Sequence, residues 1–193
     1  MRGGGECAGG VEGQGRLRQQ REQQRPHELR AMEGFQSALF DAVARGDEVA
    51  VTQALALGGS VHKADAQGLT ALHWAAASPE AENLVPFLLL QGARIDARDA
   101  CGRTPLHLHC ALGRRFGTAC LLHQGADVNI QSTGALLTPL HLAAKHNQIE
   151  IARLLVAYGA KTSTANAKGE LPRDLGLAPG AAAAASKSPP GSA

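Results

Sequence analysis

Aromatic side chains are scarce: four Phe, one Trp and one Tyr serve 193 residues. That count excludes a large core built on stacked rings, so small residues packed closely must make most of the contacts. A charge of one sign is missing too. Nineteen Lys and Arg stand against seventeen Asp and Glu, a formal net charge of +2, which lacks the cationic excess that a phosphate-tracking surface needs. No nucleic-acid partner is expected. Nor does any apolar run approach the roughly 18 residues that cross a bilayer. The longest, Leu84 to Leu90, is interrupted by Pro86, and membrane insertion is not expected.

Met1 to Gly10 has no apolar stretch of the kind a secretory signal requires. Of the four cysteines, Cys7 lies among glycines while Cys101, Cys110 and Cys120 fall close together, unlike an even disulfide framework. A reducing compartment is therefore expected, the cytoplasm with the nucleus as the alternative. The length suits one domain with tails or an elongated repeat array.

Residues 1–31 mix Gly, Gln, Arg and Glu without apolar periodicity and are expected to be disordered. Arg16 to Arg25 holds good helix formers that Pro26 would end. Residues 179–193 combine an alanine run with Ser, Lys and two consecutive prolines and read as a second flexible tail.

Between these ends the chain repeats. Thr70-Ala71-Leu72-His73, Thr104-Pro105-Leu106-His107 and Thr138-Pro139-Leu140-His141 are each 34 residues apart. A second series, Gly58-Gly59, Gly92-Ala93, Gly125-Ala126 and Gly159-Ala160, keeps step with the first. The pattern resembles the ankyrin repeat family, with its period near 33 and its Thr-Pro-Leu-His-x-Ala core. The resemblance implies an all-α solenoid of stacked helix-turn-helix units with β-hairpin fingers over residues 35–178. Its units are 35–64, an N-terminal capping repeat, then 65–98, 99–130, 131–164, and a partial C-terminal cap, 165–178.

The residues account for this architecture themselves. Thr104 is a good helix N-cap and Pro105 fills the first helical position, where its missing N–H costs nothing. His107 sits one turn on, in reach of the cap or of the neighbouring unit, as do His73 and His141. Ala75, Ala76, Ala143 and Ala144 let helices approach closely. Leu88 to Leu90, Leu121, Leu122, Ile151, Leu154, Leu155 and Val156 supply the larger apolar groups of the second helices. Gly92, Gly125 and Gly159 end those helices in a left-handed conformation. Each unit alone exposes an apolar face, so stability is expected from stacking.

Three departures from the pattern matter. The finger Gln131 to Leu137 carries one extra residue and places Ala135, Leu136 and Leu137 where a polar tip is usual, which reads either as a contact site or as inward packing of a leucine. Gly113-Arg114-Arg115-Phe116-Gly117-Thr118 puts a glycine inside an outer helix, at a cost of about 1 kcal/mol, with Phe116 expected to compensate in part. Ser78 to Asn83 lengthens a helix-helix loop by one residue.

Cys101, His107, His109, Cys110, Cys120 and His123 are zinc-ligand types, but they lack the close pairing of structural zinc sites. Buried cysteines acting as small hydrophobes are the expectation, with no metal and no cofactor. The histidine series repeats instead of converging on one substrate, and no nucleophile, paired-carboxylate or phosphate-loop motif is present.

The resemblance implies a partner face along the finger tips and inner helices. Position by position this comprises Gln67, Leu69, Arg103, Thr133 and Leu136 on the fingers, and Ala77, Ser78, Ala111, Leu112, Lys145 and His146 on the inner helices. Trp74 lies beside them as an anchor or as a packed core residue. The stripe is poor in charge and suits a protein partner offering an apolar helix or extended peptide, not an acidic surface. Asn129 falls where ankyrin repeats are hydroxylated on asparagine, though an Asn there also serves to hold the finger turn. The function expected is that of a monomeric, non-enzymatic adaptor, scaffold or inhibitor. The alternative is the recruitment region of a larger ubiquitin ligase subunit, kinase or palmitoyltransferase.

Overall fold

The computed structural model describes residues 34–176. The two tails, with the helix expected within Arg16 to Arg25, lie outside the described residues. Helix α1 covers residues 34–45. It is followed by α2 (Glu48–Ala56), α3 (Ala71–Trp74), α4 (Val85–Leu90), α5 (Pro105–Ala111), α6 (Arg115–His123), α7 (Pro139–Lys145) and α8 (Ile149–Ala157). A 3-10 turn, Ala81–Leu84, leads into α4, and another, Pro172–Leu175, follows the last finger.

Short helices alternate in two rows because their sequences differ. The inner helices α3, α5 and α7 carry the Thr-initiated segments and pack on one another, and α7 also meets the turn Pro172–Leu175. The outer helices α4, α6 and α8 form the second row. Leu39, Leu72, Leu106 and Leu140 recur at one inner position and Leu88, Leu121 and Leu155 at one outer position, all buried. Each contributes roughly 1.5–3 kcal/mol by leaving water. Alanines 71, 75, 76, 143 and 144 are buried between them, which is how units with so few rings close their seams. Past the outer helices Gly92, Gly125 and Gly159 have φ of +83°, +84° and +88°, the conformation that returns the chain to the finger side.

The fingers are hairpin turns, and among the described residues no strand is formed. The second finger shows why. Asp99 N–H donates to the Arg103 carbonyl at 2.9 Å, but the returning Arg103 N–H goes to the Asp99 carboxylate at 2.8 Å instead of its carbonyl. Asp65 does the same with Leu69, and Asn166 with Glu170. A side chain thus takes the bond that would extend a ladder. Neighbouring fingers are tied through Ala100 N–H to Gln67 O, Thr133 N–H to Cys101 O, and Ala167 N–H to Ala135 O, at 2.9–3.0 Å.

Helix α6 runs unbroken through Gly117, for a reason that lies on another helix. His109 stands where the neighbouring units have Ala75 and Ala143, and a Cβ on Gly117 would collide with its Nδ1. Gly117 in turn occupies the place of Leu84 and Ile151. The large group has moved from the outer helix to the inner one, and the imidazole fills the space. Phe116 does not take the compensating role expected of it: it is 48% exposed, because its position on α6 points away from the seam that His109 fills.

Candidate functional site

The histidine series is a relay between units. In α5 the Thr104 N–H donates to His107 Nδ1 at 3.1 Å, and the Thr104 hydroxyl lies 2.9 Å from the same atom. With Nδ1 accepting, the proton sits on Nε2, which donates to the Leu137 carbonyl of the next finger at 3.0 Å. His73 reaches Arg103 O at 3.1 Å and His141 reaches Glu170 O at 3.2 Å in the same way. Burial holds all three rings below the usual imidazole pKa, His107 at about 4. They are neutral struts at physiological pH. At the equivalent place in the last turn, Asp174 accepts the Leu171 N–H at 2.8 Å.

His109 is buried as fully as His107, and burial lowers its pKa to about 4. Nε2 meets the Leu72 carbonyl at 3.3 Å, while Nδ1 has no hydrogen-bond partner. Among the described residues no group of three or more His, Cys, Asp or Glu is placed to hold a metal ion. Cys110 is buried, and burial pushes its thiol pKa up; Cys120 is half-buried. Cys101 corrects the expectation of a buried hydrophobe: it is exposed on the second finger, where the hairpin turn leaves no second layer to cover it.

The residues expected to face a partner divide into two groups. Gln67, Ala77, Thr133, Lys145 and His146 are exposed, and Leu112 and Leu136 are 51% and 42% exposed. Leu69 and Ala111 are half-buried. Others are already engaged within the protein. Trp74 donates from Nε1 to Asp65 at 3.1 Å and stacks on Phe40, ring centroids 6.1 Å apart. Ser78 donates to the Ala44 carbonyl at 2.8 Å and accepts the Ala81 N–H, so the lengthened loop is fastened to the preceding unit. Arg103 pairs with buried Asp99 at 2.7 Å. Burial works against ionisation of Asp99, but hydrogen bonds from Arg103 and Cys101 prevail and hold its pKa below the usual value. Asn129 bridges to the next unit, accepting the Lys161 N–H at 2.8 Å and donating to Gly159 O at 3.2 Å.

The third finger is built differently. Its closing residue is Ser132, whose hydroxyl accepts the Leu137 N–H at 3.1 Å. The extra residue is absorbed by Gly134 at φ +73° and by Leu136 at φ +50°, a left-handed conformation that costs a branched side chain roughly 1–2 kcal/mol. Gln131 Nε2 braces the tip by donating to Leu136 O at 3.0 Å and Ala165 O at 3.2 Å. Leu136 points outward while Leu137 is half-buried. Beside them a cleft of about 300 Å³ is lined by Ala135, Leu137, Lys145, Lys168, Leu175 and the fourth finger. Lys168 and Leu175 were absent from the sequence-based set. The signal was there: Asn166-Ala167-Lys168-Gly169-Glu170 copies Asp99-Ala100-Cys101-Gly102-Arg103.

Stacked helix pairs that present turns and inner helices along one side define a repeat protein of the solenoid class. Residues 76–166 match the family model described as ankyrin repeats, in three copies, and this part of the chain consists of ankyrin repeats. It is 36% identical over 120 residues to the human "SMC5-SMC6 complex localization factor protein 1", a match covering 61% of this chain and 11% of that protein. It is 36% identical over 99 residues to the human "Ankyrin repeat domain-containing protein 37", covering 51% of this chain and 61% of the relative. Over 119 residues it is 33% identical to "Tyrosine-protein kinase HTK16" of Hydra vulgaris, 61% of this chain and 16% of that protein. The chain thus spans about a tenth of the first of these relatives. Ankyrin repeats are protein-protein interaction modules. No helix among the described residues is long and apolar enough to cross a membrane.

Proposed function

We propose that this chain is a non-enzymatic adaptor, scaffold or inhibitor that works as a monomer inside the cell, in the cytoplasm or the nucleus. It binds an apolar helix or extended peptide of a protein partner along the fingers and inner helices. The observation that carries this reading is the exposure of Leu112 and Leu136 on that side, large apolar groups that the core does not cover. The likeness to a complex localisation factor supports docking as the activity. The test is a chain carrying Leu69→Asp, Leu112→Asp and Leu136→Asp, compared with wild type by quantitative co-purification after circular dichroism has shown both to be folded. Loss of a saturable partner is expected; an unchanged partner set sinks the reading.

A second reading, the recruitment or regulatory region of a larger enzyme such as a kinase, ubiquitin ligase subunit or palmitoyltransferase, is favoured by the likeness to a kinase of which the match covers only a small part. Full-length transcript sequencing decides it. Hydroxylation of Asn129 stands as a modification proposal beside its bridging role, and an intact mass of the native protein without one added oxygen removes it.

A further inference from the structure

We infer that the cleft between the third and fourth fingers is a subsite for an acidic peptide segment, which inserts one large apolar side chain and sets carboxylates on Lys145 and Lys168. The inference rests on the protein-binding reading above; at this end of the face two lysines stand where the sequence predicts a charge-poor stripe, so the partner chemistry here is acidic as well as apolar. Three independent features meet here. The first is shape: at about 300 Å³ the cleft is at the small end of ligand sites, and it has an apolar lining from Ala135, Leu137 and Leu175. It has room for one or two side chains of an extended segment but not for a whole helix, which is about 10–12 Å across.

The second feature is charge. Lys145 ends α7 and Lys168 sits on the fourth finger, both exposed and both lining the cleft. Neither takes part in an ion pair among the described residues. The acid at the same cleft, Glu170, accepts from Asn166 Nδ2 at 2.9 Å and keeps its charge, so the lining carries two cations against one anion, an excess that favours an incoming anion. Positive groups at the rim of an apolar cleft select a partner with carboxylates flanking its anchor. The third feature is the exposed Leu136 in its left-handed conformation. Its carbonyl is braced by Gln131 and the adjoining Ala135 carbonyl by Ala167, so the leucine is set beside the cleft before any partner arrives. A residue held at a backbone cost that the core does not require is often found at a binding site.

The test pans a phage-displayed library of random peptides on the full-length chain and measures resynthesised winners by fluorescence polarisation. Enriched peptides are expected to pair a large apolar residue with Asp or Glu. Their affinity should fall about tenfold in Lys145→Glu/Lys168→Glu, be retained in Lys145→Arg/Lys168→Arg, and weaken with salt. Equal melting temperatures keep folding out of the comparison. Winners without acidic residues, an unmoved affinity in the Lys→Glu chain, or no enrichment above background each overturn the subsite. If the winners respond only to Leu69→Asp and Leu112→Asp, the wider face survives and this cleft does not. If neither set of changes matters, both readings fall.

Discussion

The second finger, Asp99 to Arg103, and the third, Ser132 to Leu137, occupy the same place in successive units and use their side chains in opposite ways. In the second, a buried carboxylate takes two backbone N–H groups and the Arg103 guanidinium, so nearly every polar group is satisfied internally. In the third, one more residue and a serine in place of the carboxylate leave the turn closed by the Ser132 hydroxyl and braced by the Gln131 amide, and a leucine is turned outward. Where the repeat is kept, its chemistry serves stacking; where it is broken, a large apolar side chain is turned to the surface. The His107 ring joins the two fingers, since it belongs to the helix that follows one and donates to the carbonyl of the other.

The largest expected effect is the loss of that joint in acid. His107 binds a proton near pH 6.5 when unfolded and only near 4 when folded. The unfolded chain therefore takes up protons first. The stabilisation is complete above pH 6.5 and is lost as pH falls towards 4, by about 3 kcal/mol for this ring alone. Urea titrations across that range should show a steep fall, blunted in His107→Gln; a flat profile would remove the neutral strut from the account.

Next in size is Asp99→Ala, which strands two N–H groups and a guanidinium and should cost about 2–3 kcal/mol. Ser132→Ala should cost about 1 kcal/mol or less. Equal losses in thermal melts would erase the contrast between the fingers. Gly117→Ala drives a methyl into the His109 ring and should cost about 2 kcal/mol, while His109→Ala leaves a cavity at a similar cost. Chemical denaturation of Gly117→Ala/His109→Ala should reveal less than the sum; strict additivity would mean that the two sites do not share one space. The smallest effect is Leu136→Asn, which tolerates positive φ and should stabilise by up to about 1 kcal/mol while weakening peptide binding. If stability and binding fell together, the outward leucine would be a folding residue and not a binding one.

Most of the architecture was legible because it is written in local chemistry. A threonine cap, a proline at the first helical turn, a histidine one turn on and a glycine at the helix end each act within a few residues, and the period multiplies the signal. What could not be read depended on contacts across units. Gly117 reads as a flaw when its own helix is taken alone, and the compensation expected of Phe116 comes instead from an imidazole on another helix. Spacing alone leaves Trp74 between anchor and core, since it implies neither the bond to Asp65 nor the Phe40 ring stacked on it. Lys168 lies on a finger that reads from sequence as part of a cap, although its motif is that of a complete turn.

Asp174 gives the stack a direction. Each histidine of the relay is bifunctional, accepting from its own turn and handing a hydrogen to the next, as a monomer with two different ends does in a growing polymer. The Asp174 carboxyl group accepts the Leu171 N–H and makes no onward bond to a further unit among the described residues. Among the described residues the histidine relay ends at this position, and an acceptor stands where the earlier units have a two-ended link.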